Sequence, residues 1–240
     1  MQKRYLPIFK FLFSLIFFGL SSIALADIEA EFKQAEEYKK MGNYQQAEAV
    51  FQSIITNNPG TKDALRAQRQ IIYSLLGRNA DAQAAINGLL TDFTEQEGWL
   101  SALYDIAGRC EERKKYDYAK GIYQKITQKY PAGSAQCNDA QANIAKTNIL
   151  PLIDSNNITE ARADVNVLIT DFAGNAALPD VLYDIGGKYH SAGKFEQAKE
   201  LYQRIVAGYP DTKYSLRAQR ALARVYIATG KTDEAKTAVE

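Results

Sequence analysis

Histidine and tryptophan each occur once in the 240-residue sequence, cysteine twice and proline six times. The lone His190 leaves no site that needs two imidazole ligands, and no spacing puts a nucleophile beside it. Its expected place is an exposed helix end. Two cysteines are too few to staple a domain. Cys110 falls near the end of one helix and Cys137 near the start of the next but one. A mutual bridge, which needs Cα atoms within about 7 Å, is therefore not expected. The glycine pair Gly186-Gly187 sits inside a helical stretch and not after a strand, so no phosphate-cradling loop is expected. There is no dense basic run, and 29 basic residues nearly balance 28 acidic ones, so nucleic acid is not an expected partner. No catalytic constellation emerges and no cofactor is implied; the chain is not expected to be an enzyme.

The first 26 residues contain no acid. Lys3, Arg4 and Lys10 precede an apolar run from Phe11 to Leu20, and the small residues Ala24 and Ala26 follow it. That order is the pattern of a secretory signal peptide, with cleavage expected after Ala26. The run is shorter than the roughly 20 apolar residues of a membrane-spanning helix. Asp27 stands where a lipoprotein would need Cys. The expectation is an exported, periplasmic or secreted chain beginning at Asp27, slightly acidic and not stably inserted in a membrane.

What is abundant is repetition. The stretch from Leu182 to Pro210 reads as two amphipathic helices. Leu182, Ile185 and Tyr189 face inward on the first, and a turn at Ala192-Gly193-Lys194 ends it. Ala198, Leu201, Tyr202 and Ile205 supply the inner face of the second. Leu103 to Pro131 repeats it, with Leu103-Tyr104-Asp105-Ile106 answering Leu182-Tyr183-Asp184-Ile185. Phe32 to Pro59 is an earlier copy. Copies from Leu65 and from about Ala140 end in Thr91-Asp92-Phe93 and Thr170-Asp171-Phe172 instead of proline. A sixth opens at Leu216, with Leu216 to Arg220 matching Leu65 to Arg69, and stops inside its second helix. The array predicts an all-α solenoid of about six antiparallel helix pairs over residues 27–240, the last incomplete, with an extra stretch around Gly133 to Asn138 breaking its regularity. Ala119 and Ala198 are expected to be buried where the two helices of a pair cross.

The spacing of Leu182, Ile185, Gly186, Tyr189, Ala198, Tyr202 and Pro210 resembles the tetratricopeptide repeat. Leu103 and Leu182 stand where that family often has Trp, and Cys110 at its Tyr. The resemblance implies a right-handed superhelix whose first helices line a concave groove for a protein or peptide. It is specific for fold and not for function. A signal peptide ahead of units ending in Tyr-Pro is similar in style to repeat proteins of the bacterial cell envelope, which makes envelope assembly an expected setting. The alternative is a recognition or spacer arm of a longer exported enzyme.

Trp99 and most tyrosines fall on positions that fill the core. Tyr104 and Tyr183 stand one residue off that stripe. Each is followed by a carboxylate, Asp105 or Asp184, and has Gly108 or Gly187 four residues on. Arg217, Arg220 and Arg224 share a face of the last copy's first helix. These seven residues are the predicted partner-binding set, the arginines suited to carboxylates through bidentate bonds.

Overall fold

A computed structural model describes residues 27–238; the expected signal peptide lies outside the described residues. Twelve helices follow one another there: α1 (residues 27–40), α2 (Tyr44–Asn57), α3 (Lys62–Gly77), α4 (Gln83–Asp92), α5 (Trp99–Glu112) and α6 (Tyr116–Lys129). Then come α7 (Ala135–Asp154), α8 (Ile158–Asp171), α9 (Leu178–Ser191), α10 (Phe195–Gly208), α11 (Lys213–Ala228) and α12 (Thr232–Thr237). The described residues contain no strand, and the elements form six antiparallel pairs, the expected α-solenoid. The chain divides into two compact units, residues 1–102 and 103–240, with the boundary inside α5.

One local device makes every pair. The first helix ends in a turn whose closing bond reaches back five residues: Asn43 N–H to Tyr38 O, Ala80 to Leu75, Lys115 to Cys110, Asn157 to Leu152, Lys194 to Tyr189 and Lys231 to Tyr226. This is the Schellman arrangement, which satisfies carbonyls the helix leaves unpaired. It needs a left-handed residue before the donor. Gly42, Gly193 and Gly230 supply it at no steric cost, whereas Lys114 adopts it at φ 59° with a Cβ to accommodate. A second device starts the helix after each proline-ended copy. Thr61, Ser134 and Thr212 cap α3, α7 and α11 by accepting the N–H of Ala64, Cys137 and Ser215. The extra stretch from Gly133 to Asn138 is therefore ordered structure. Its serine cap and first helical turn make α7 the longest helix, at 20 residues.

The unit of residues 1–102 packs α1 to α4 around Phe32, Phe51, Ile54 and Ile71, and Trp99 closes onto α4 by donating its indole N–H to Leu89 O at 2.7 Å. In residues 103–240 a continuous core runs from Ala142 to Val225. Ala119 and Ala198 are wholly buried, as expected. Gly186 shows why the repeat alternates small and large: a Cβ there would lie 2.8 Å from Tyr202 Cε1. Cys110 and Cys137 are both buried free thiols. Burial, helped by Glu111, pushes the Cys110 thiol up to about 12, so it stays protonated and unreactive.

Candidate functional site

The first helices of the larger unit carry its polar chemistry. On α7 the residues Asp139, Asn143, Lys146 and Leu150 follow helical spacing and share a face. That face looks toward α5 and α9. Lys146 Nζ lies 2.8 Å from Glu111 Oε2 on α5 and 2.9 Å from Asp184 Oδ2 on α9, with only 3% of its side chain exposed. Tyr123 donates its hydroxyl proton to Glu111 Oε1 at 3.3 Å. Burial opposes the Lys146 charge, but the two carboxylates outweigh it and hold the ammonium above its usual range. Burial also raises Glu111, despite the lysine beside it.

Two clefts open around this lysine. One of about 600 Å³ is lined by Gly108, Glu111 and Glu112 of α5, Leu150 of α7, and Tyr183, Asp184, Gly187 and Lys188 of α9. The other, about 260 Å³, is lined by Tyr104, Glu111, Tyr123, Asp139, Asn143, Lys146, Asp180 and Asp184. They share Gly108, Glu111 and Asp184 and so form one groove along the first helices. Space remains because Gly108 has nothing within 4 Å of where a Cβ would stand.

A second charge cluster adjoins the groove at Lys188. The extra length of α7 carries Asp154 to Lys188 Nζ at 2.7 Å and Lys114 Nζ at 3.0 Å, and Tyr116 donates to Asp154 Oδ2 at 2.5 Å. Burial alone would raise Asp154, but the bonds from Lys188, Tyr116 and Lys114 prevail and hold it at about 2.

Of the seven predicted residues, Tyr104, Tyr183 and Asp184 line the groove. Neither tyrosine stands clear of the core: Tyr104 tilts against Tyr123 at 5.7 Å between centroids and Tyr183 against Tyr202 at 5.6 Å. Asp105 turns back to Arg109 on its own helix at 3.5 Å. Arg217 is engaged, 2.5 Å from Asp180 Oδ1, with its guanidinium 4.3 Å from the centre of the Tyr183 ring. Arg220 and Arg224 are exposed on α11 and line neither cleft. His190 stands at the end of α9 as expected but is half-buried, packing edge-on against Phe195 at 5.4 Å. Sequence reasoning missed Lys146, Glu111 and Asp139. The signal was available in the first and third, since a charged residue recurring at helical spacing through an apolar helix marks a polar stripe facing a neighbour.

Tetratricopeptide repeat models match residues 29–61, 101–132 and 179–240. No curated protein matches the chain in sequence. Among solved structures, the chain is similar to a tetratricopeptide repeat protein from Parabacteroides merdae, at 12% identity over 88% of this chain and 77% of that one, with a TM-score of 0.40. It is similar to pilF of Pseudomonas aeruginosa at 14% identity over 88% of each chain, TM-score 0.39. To BtubC of P. vanneervenii the identity is 16%, over 89% of this chain and 86% of that one, with a TM-score of 0.40.

Proposed function

We propose, from the premise that the chain belongs to the tetratricopeptide repeat family, that it is an exported interaction scaffold holding a protein or peptide partner against the first helices of residues 103–240. The fold supports a protein-interaction role. The observation that carries the placement is the groove over α5, α7 and α9, whose lining combines tyrosine rings, carboxylates and glycines with no core side chain filling it. Rings and fixed charges of this kind anchor interfaces, while glycine leaves room for a backbone to approach. Export rests on the charge and apolar order of residues 1–26 and is consistent with a role in the cell envelope. The reading is one of binding, supported by groove groups whose shifts come from burial and neighbouring charges.

A photo-crosslinking residue placed at Gly108 or Gly187 tests this against one placed at Val167, which is exposed on α8. Crosslinks to a discrete partner from the two groove positions only are the expected result. Equal recovery from Val167, or none anywhere, removes the groove as the binding face. Export is checked separately by the mass of the secreted chain, which should begin at Asp27.

A further inference from the structure

We propose that the cleft over Tyr104 receives an arginine side chain from the partner protein, completing in trans a three-part contact that the chain makes for itself at two other places. The inference rests on the groove reading above and names the partner's chemistry.

The contact is defined twice within the chain. Arg66 on α3 lies with its guanidinium carbon 3.8 Å from the centre of the Phe32 ring and its Nη1 2.5 Å from Glu29 Oε1. Arg217 on α11 lies 4.3 Å from the Tyr183 ring and 2.5 Å from Asp180. In both, the carboxylate stands three residues before the aromatic on one first helix, and the arginine is the fifth residue after the threonine cap of the next, Thr61 or Thr212. A planar guanidinium stacked on a ring and bonded to a carboxylate uses both faces of its chemistry.

The third copy has the ring without the cation. Tyr104 tilts on Tyr123 at 5.7 Å, as Phe32 does on Phe51 at 5.9 Å and Tyr183 on Tyr202 at 5.6 Å. Three residues before it stands Ser101, and the fifth residue after the Ser134 cap is Asp139. The carboxylate has moved to the helix that elsewhere carries arginine. Among the described residues no cation covers Tyr104, and Asp139 has no basic partner. The neighbouring Asn138 is turned away, donating to Gly133 O at 3.2 Å. The Tyr104 hydroxyl oxygen is buried and makes no hydrogen bond. Both groups line the cleft of about 260 Å³, where Lys146 is already taken by Glu111 and Asp184, and Asp180 by Arg217. What is left over is a ring face, an acceptor oxygen and one unpaired carboxylate. Charge complementarity selects a cation, and the two self-filled copies select arginine.

The test is NMR titration of the full chain with N-acetyl-arginine-N-methylamide, the blocked form of a chain arginine, following the tyrosine ring signals. One site at Tyr104 is expected, weakened about tenfold by Asp139→Asn through loss of the charge-assisted bond. Tyr104→Phe should keep the stacking and bind in between. Arg217→Ala should open a second site at Tyr183. The Ser101→Asp, Asp139→Arg variant rebuilds the internal contact and should bind nothing at Tyr104 while remaining folded by circular dichroism. Shifts that avoid Tyr104, or are indifferent to Asp139→Asn, overturn the inference, as does a blocked lysine analogue binding equally well. Tighter binding of free arginine than of the blocked form would replace the partner protein by a small molecule and equally overturn it. If crosslinks from Gly108 persist unchanged in Asp139→Asn, the arginine receptor falls and the scaffold reading stands.

Discussion

Two cations on the inner face of residues 103–240 each bridge neighbouring first helices, and they do so under opposite conditions. Lys146 sits between α5 and α9 with 3% of its side chain exposed, and its partner Glu111 is 9% exposed. Arg217 reaches from α11 to α9 with 46% exposed, toward an aspartate that is 43% exposed. The drawn contacts look alike, yet burial changes what each is worth. Water solvates Arg217 and Asp180 almost as well apart as together, so their pairing is worth little. Lys146 and Glu111 have left water, and each depends on the other for the stabilisation that water would have given.

The largest expected effect breaks the buried side of this comparison. Lys146→Ala strands the Glu111 carboxylate in the core, and removing one partner of a buried pair costs about 3–5 kcal/mol. Asp184 is half exposed and can turn to solvent. Urea denaturation should show the loss, and a Lys146→Met, Glu111→Gln double variant should recover most of it, because no buried charge then remains. A double variant as unstable as Lys146→Ala would mean that the lysine stem and its packing matter more than the charge.

That buried pair was also the hardest part to read from the sequence. The repeat frame was legible because it is local: the pairing of helices, the buried Ala119 and Ala198 and the turn at Gly193 all follow from spacings within about thirty residues. Lys146 stands on α7 and Glu111 on α5, and only the docking of successive pairs brings them together. Tyr104 and Tyr183 were singled out and line the groove, but a helical wheel cannot show that each leans on a tyrosine of the following helix. The arginines of α11 read as one cluster for the same reason. The acceptor that takes Arg217 stands on α9, and nothing in the spacing of Arg217, Arg220 and Arg224 distinguishes the first from the others.

Between the two extremes lies Asp154, with 22% of its side chain exposed and three donors around it. Its folded value of about 2 stands below the ordinary 3.8. A carboxyl depressed in the folded state contributes stability that is fully present above the unfolded value and is lost as pH falls through the folded one. Wild type should therefore exceed Asp154→Asn in stability at pH 6, with the gap closing between about pH 4 and pH 2. Urea midpoints across that range check it. A gap that persists at pH 2 would assign the effect to hydrogen bonding from Tyr116 and not to charge.

The smallest effect belongs to the exposed side of the comparison. Arg217→Ala removes a surface ion pair worth about 0–1 kcal/mol and a ring contact worth about 0.5–1 kcal/mol at an exposed site. The midpoint of thermal unfolding should therefore move by only a few degrees. Salt discriminates the two parts. Raising ionic strength to about 1 M shortens the screening length to about 3 Å and should erase the ion-pair share, leaving the part due to stacking on Tyr183. Arg217→Lys keeps the charge but loses the flat guanidinium, so it should resemble Arg217→Ala at high salt and fall between Arg217→Ala and wild type at low salt. The same salt series applied to Lys146→Ala should change much less, because only 3% of that side chain is exposed. A salt-sensitive Lys146 would mean that water and ions enter between α5, α7 and α9, and the two cations would then differ in degree only.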